Sequence, residues 1–368
     1  MVPFLDLKVQ QDLTNGEIRS RFDDIIKNSG FILGAHVEEF ENRFKELQEA
    51  KYCIGVSSGT AALQIALMAA GIRQNDKVII PVNTFIATAE AASIVGAIPV
   101  FVDCDQYYNL DFAAAIQVVE KDHAVKAIIP VHLYGQPANM GEIRLLADKY
   151  NLTIIEDCCQ AHLAAIKGSR VGNVGAYGAY SFYPGKNLGA YGEAGALTTN
   201  DETLYETARM LRQHGEIERY HHQIIGHNFR MDAFQGAVLA TKAKYIQGWT
   251  EKRRYHAALY TELLIDVGEI RTPEELDDTY CVYHLYVIRT KRRDELRAHL
   301  QQKGIATAIH YPVPIHLQPA YGFLGHSAGD FPCAEHAAAT ILSLPIYPEL
   351  TEKQIRYVVE NIKRFFAN

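Results

Sequence analysis

Residues 152–157 read LTIIED, an apolar run of strand length that stops on two acids. Three more runs share the pattern: KVIIP at 77–81, IPVFVD at 98–103 and KAIIPVH at 126–132. Each is apolar without alternation and ends in polar or turn residues, which suits strands buried on both faces of a mostly parallel sheet. Helical patterns separate them, so the chain from about residue 50 to 200 reads as α/β. Ligands of such sheets gather at the carboxyl ends of the strands, where Asp103, His132 and Asp157 are expected.

Upstream, AALQIALMAAG at 61–71 starts after Thr60 and stops at Gly71, the pattern of a buried helix. Downstream the chain turns helical and charged, and then HLYVIRT and KRRDELRAHLQQKGI give the strand and helix of a smaller α+β lobe. These patterns divide the chain near residue 245, into a large unit 1–245 with its amino-terminal arm and a small unit 246–368. No internal repeat or low-complexity tract is present.

The 368 residues are 48% hydrophobic and 21% charged, which is globular rather than disordered. A formal charge of −7, from 36 basic and 43 acidic residues, gives no general attraction for nucleic acid. Six cysteines without a CxxC pair fit reduced thiols. The beginning MVPFLDLKVQQD lacks a basic apolar leader, and the apolar run 85–104 is broken by Glu90 and Pro99, so a cytoplasmic protein with no membrane span is expected.

Three groups carry candidate chemistry. Ser58, Gly59 and Thr60 open the buried helix, where free N–H groups and the positive dipole end favour an anion such as phosphate; simple capping is the plain alternative. Asp157, at the end of a buried strand, needs a cation or donors, and a protonated pyridine nitrogen would be one such partner. Lys186 lies in SFYPGKNLG, among aromatic, Gly and Pro residues rather than other charges. A phosphate-binding P-loop fails there on spacing, because Tyr180 and Asn187 stand where Gly and Ser or Thr are needed. An amine able to form a Schiff base completes the set. Ser181 offers a hydroxyl to the phosphate, and Phe85 a ring to stack on a planar cofactor or to pack in the core. Histidines 214, 221, 222 and 227 lack the spacing of a metal site, and no metal is expected.

At this point the chain resembles the nucleotide-linked sugar aminotransferases, pyridoxal phosphate enzymes of the aspartate-aminotransferase fold (fold type I). The motifs run from FLDL and GxxVxxFE through SSGTAAL, VHLYGQPANM, EDCCQAH and SFYPGKNLGAYGEAG to GHNFRMDAFQGAVL and HYPVPIHLQPAY. The resemblance implies that Lys186 bonds the cofactor, Asp157 meets its ring nitrogen, Gln160 neighbours its phenolic oxygen and Phe85 stacks on it. It implies that Ser58, Gly59, Thr60 and Ser181 hold the phosphate, and that Asn228 reaches the phosphate of a second subunit, making the active unit a homodimer. Leu163 and Ala194 replace glycines common in the family, and HYPVPIHLQPAY is most like members that aminate C3 of dTDP-linked 3-keto-6-deoxyhexoses. His162, Tyr183, His310 and Tyr311 are therefore the substrate-side candidates. L-Glutamate is the expected donor, with the pyridoxamine form carrying the amino group between half-reactions. A 4-keto-sugar or cyclitol aminotransferase and a non-catalytic cofactor-binding regulator are the competing readings; sugar dehydratase relatives carry His in place of this lysine.

Overall fold

The computed structural model describes residues 1–367. Seven strands form the main sheet in the order Tyr52–Val56, Gly195–Thr199, Tyr177–Ser181, Thr153–Asp157, Val125–Ile128, Lys77–Pro81 and Ile98–Val102. Only Gly195–Thr199 runs against the others, so the sheet is mostly parallel and mixed, as the apolar runs require.

Side chains alternate between two covered faces, which explains why the strands read as uninterrupted apolar runs. Val78, Ile80 and Ile155 point into a core under the helix Gly59–Ala69, whereas Ile79, Ile128 and Ile154 point into another under Phe112–Lys121 and Met140–Tyr150. The helix Gly59–Ala69 is buried for most of its length, because Ile86–Ile94 and Glu202–Arg212 flank it.

A separate core is built on the antiparallel pair Tyr286–Arg289 and Ile341–Leu344, with the helices Ile246–Leu263, Arg293–Gln302 and Glu352–Ala367. Tyr260 stacks on Tyr286 at 5.0 Å between ring centroids. The amino-terminal arm contributes to this second core, since Val2 pairs with Ile305 and is buried there. Within the segment 310–321, His310 stays on the small lobe's strand through Ser343, while further along the Ile315 amide donates to the Val82 carbonyl at 3.1 Å and Tyr321 packs on Phe101 in the core of the large sheet. No described helix is long and apolar enough to cross a membrane.

Candidate active site

The carboxyl edge of the sheet opens into a cavity of about 780 Å³, within the range of small-molecule sites. One wall is the start of the helix Gly59–Ala69. Ser58 caps it by accepting from the Ala61 amide at 3.1 Å, which leaves the Gly59 and Thr60 amides for a ligand. Gly59 is required by contact rather than by dihedral: a Cβ there would lie 2.7 Å from Ser181 Cβ and 2.9 Å from Cys159 Sγ. The helix start is thereby brought against the end of the strand Tyr177–Ser181.

Asp157 lines the same cavity and is buried. Thr88 donates to its Oδ2 at 2.7 Å and the Cys159 amide to its Oδ1 at 3.1 Å, so both donors are uncharged. On the opposite face of the strand, Glu156 accepts from the amides of Gly172, Val174 and Gly175 at 2.7–2.8 Å and faces His132 Nε2 at 3.1 Å. His132 Nδ1 accepts from the Ala138 amide at 3.0 Å, so Nε2 carries the hydrogen and donates to Glu156. Burial opposes the charge of Glu156, but these donors prevail and hold its carboxyl below the usual range. His132, Glu156 and Cys158 are close enough to hold a metal, yet both Glu156 oxygens and both His132 nitrogens are already engaged. His132 and Glu156 brace the strand that presents Asp157.

Lys186 sits on a turn closed by its own amide donating to the Tyr183 carbonyl and by Ala190 donating to Phe182, both at 2.8 Å. The neighbouring Asn187 donates to the Val282 carbonyl at 3.2 Å and accepts from His284 Nδ1 at 3.2 Å. Buried Lys242 donates to the Gly189 carbonyl at 2.8 Å. The turn is thus pinned on three sides while the Lys186 side chain faces the cavity. Burial lowers the pKa of its amine, and the Asp157 carboxylate across the cavity pulls the other way.

Phe85, Gln160, Ser181, Tyr183, His310 and Tyr311 also line the cavity. Phe85 is half-exposed with its ring 5.3 Å from that of Tyr311, so it is a cavity wall and not core packing. Gln160 Nε2 donates to the Tyr311 hydroxyl at 3.1 Å while its Oε1 accepts from the Tyr134 amide at 2.7 Å. Tyr311, assigned above to the sugar, is therefore joined directly to a residue assigned to the cofactor. His310 Nδ1 meets Ser343 Oγ at 2.9 Å, and burial pulls its pKa to about 4.

Two sequence candidates lie elsewhere. His162, expected on the substrate side, is fully enclosed by Phe44, Tyr180 and Phe182 and does not line the cavity. Closed in by these rings, the side chain packs in the core. Asn228 is exposed and lies outside the cavity of its own chain.

Sequence reasoning missed Thr88, Arg253 and His284, all of which line the cavity. Arg253 had a signal: in the helix Ile246–Leu263, Ile246, Trp249, Thr250, Arg253, Ala257 and Tyr260 share the buried face at helical spacing, although EKRRYHA reads as a solvated charge run. Thr88 and His284 carry no local signal.

An open helix start facing a hydroxyl, a buried carboxylate met only by neutral donors, and an amine on a pinned turn fit the phosphate, ring nitrogen and aldehyde carbon of pyridoxal phosphate. The fold and these groups define an aminotransferase of the class that uses that cofactor. The DegT/DnrJ/EryC1/StrS aminotransferase family model matches residues 12–363, and the chain belongs to that family. It is 46% identical over its full length to a "Pleiotropic regulatory protein" of Geobacillus stearothermophilus, of which 99% is covered. It is 41% identical, over 99% of this chain and 96% of the relative, to the dTDP-3-amino-3,4,6-trideoxy-alpha-D-glucose transaminase of Streptomyces venezuelae. The crystal structure of S. venezuelae DesV in complex with a ketimine intermediate superposes with a TM-score of 0.97 at 41% identity, covering 100% of this chain and 99% of that one.

Proposed function

We propose that the protein transfers an amino group from L-glutamate to C3 of a dTDP-linked 3-keto-6-deoxyhexose, using pyridoxal phosphate. The observation that carries this reading is the convergence of Lys186, Asp157 and the Gly59 helix start on one cavity. The 3-amino dTDP-sugar named for the S. venezuelae relative supports the substrate class.

When bound, the cofactor supplies a carbonyl carbon that takes the amino group and a ring that accepts electrons. The chain supplies the rest. Asp157, aimed by Thr88, would hold a proton on the ring nitrogen; the Gly59 and Thr60 amides with Ser58 and Ser181 would meet the phosphate; Gln160 would serve the phenolic oxygen and Phe85 would stack on the ring. Lys186 would move protons through Nζ, an amine whose pKa burial lowers. His310, Tyr311 and Tyr183 bound the sugar side, so the large unit 1–245 holds the cofactor while residues 246–368 add to the substrate wall. Asn228, outside its own cavity, serves the phosphate of a second copy in a homodimer that works in the cytoplasm.

Borohydride reduction followed by peptide mapping tests the cofactor assignment. A reduced adduct on Lys186 supports it, and an adduct on another lysine overturns it. The name of the G. stearothermophilus relative favours one second reading, a regulator that keeps the cofactor without turnover. Release of 2-oxoglutarate from glutamate, matched to loss of the cofactor's visible band, separates the two.

A further inference from the structure

The motif FLDL at 4–7 has no part in holding the cofactor, yet Phe4 and Leu5 both line the cavity. They lie on a strap tied to the small lobe at each end. The Val2 amide donates to the Gly304 carbonyl at 2.8 Å, the Ala306 amide donates to the Val2 carbonyl at 3.0 Å, and Gln10 Nε2 donates to Glu349 at 3.3 Å. Between these ties the Phe4 ring stacks on the His310 imidazole, with centroids 5.7 Å apart and planes 28° from parallel. Leu5 reaches across to the lysine turn: its Cδ2 would stand 3.5 Å from a Cβ at Gly185, the residue before Lys186.

The strap completes an apolar wall. Phe4 packs in one cluster with Val131 and Leu285, Leu5 packs in another with Ile346, and all five line the cavity. The charged groups of the lining stand on other elements: Asp157 ends its strand, Glu193 precedes Gly195–Thr199, Lys186 is on its turn and Arg253 belongs to Ile246–Leu263. Phe4 covers a face of the His310 ring while Nδ1 meets Ser343, so the imidazole keeps its Nε2 edge for a polar group. Phe4 and Leu5 themselves offer no side-chain donor or acceptor. A hydroxyl pressed against them loses water without replacement, whereas burial of a methyl is favourable. The one apolar end of a 6-deoxyhexose is its C6 methyl.

We infer that Phe4, with Leu5 beside it, receives the C6 methyl of the keto-sugar and selects 6-deoxy substrates over their 6-hydroxy counterparts. The inference rests on the keto-sugar reading of this cavity and names the residues that read one end of the sugar. Phe4 touches substrate through carbon in this account, and His310 meets sugar oxygens from its ring edge.

The test mixes amino-loaded enzyme with two dTDP-linked 3-keto hexoses that differ only at C6, one carrying a methyl and one a hydroxymethyl, and follows return of the cofactor band. The ratio of the two second-order rate constants is taken within each protein, so any inactive fraction cancels. Wild type should prefer the 6-deoxy sugar by roughly 10- to 100-fold. Phe4→Leu keeps the wall apolar and should keep most of that preference. Phe4→Ser supplies a hydroxyl partner and should lower the ratio by roughly 10-fold, with Leu5→Ser moving it in the same direction. Wild type without a preference would overturn the inference. Serine variants that slow both sugars equally would overturn it too, since that is the pattern of a residue that only steadies His310. Wild-type enzyme that loads with glutamate but accepts neither sugar would instead sink the keto-sugar reading on which the inference rests.

Discussion

The Thr88 hydroxyl donates to Asp157 Oδ2 at 2.7 Å, and nothing near either residue in the sequence announces the pair. Thr88 lies in the helix Ile86–Ile94 and Asp157 ends a strand 69 residues later, so the sheet alone brings them together. The bond fixes the plane of a buried carboxylate while the Cys159 amide holds the other oxygen. Thr88→Val should keep the cofactor but slow both half-reactions, by roughly 10-fold if a charged hydrogen bond of ~1.5 kcal/mol is lost. Asp157→Asn should slow both by more. Single-turnover rates with glutamate and with keto-sugar are the measurement, and slowing confined to one half would contradict a role on the ring nitrogen.

His162 makes a prediction about pH. Burial among aromatic rings lowers its pKa to about 3, while in the unfolded chain it titrates near the ordinary value of about 6.5. The unfolded state therefore binds more protons between these values, and stability falls as pH drops from about 6.5 toward 3. His162→Phe should flatten the acid side of the stability curve, by up to ~2–3 kcal/mol at about pH 4.5, and leave activity at neutral pH close to wild type. Urea midpoints of the two proteins measured across pH check this; parallel curves would mean that His162 is not held neutral.

Asn228 is tested by sharing. Mixing Lys186→Ala with Asn228→Ala chains should yield hybrid dimers that contain one site with both residues intact. Activity after proven subunit exchange should exceed that of either variant alone. Without a gain, Asn228 would not serve a neighbouring phosphate.

His310 and Tyr311 should separate from each other. His310→Ala should spare the glutamate half-reaction and reduce kcat/KM for the keto-sugar by roughly 10-fold. Tyr311→Phe should affect both halves, because its hydroxyl is held by Gln160 on the cofactor side. Stopped-flow measurement of each half shows which pattern holds.

The sheet was legible because strands buried on two faces leave uninterrupted apolar runs, and the groups that line the cavity because they sit at strand ends and a helix start. Lys186 was legible because a lone charge among Gly, Pro and aromatic residues is out of place on a surface. His162 misled because its motif neighbours Asp157 and Gln160 face the cavity, whereas its own side chain turns into the core beside Phe44. Arg253 stayed hidden within a run of basic residues, where only the phase of the helix separates a buried guanidinium from its solvated neighbours. Chain order places residues 310–321 in the small unit, and the Ile315 to Val82 bond that also ties the segment to the large sheet is a long-range contact with no local signal.

The proposed reaction is amination of a 3-keto sugar nucleotide. The most direct measurement mixes the amino-loaded enzyme with a matched pair of dTDP-linked 6-deoxyhexoses, one with a 3-keto and one with a 4-keto group. The cofactor's visible band is followed through a single turnover, and the product is identified by mass. The account predicts fast return of the band with the 3-keto sugar and a 3-amino product. Return only with the 4-keto sugar, or with neither despite full loading by glutamate, would contradict it.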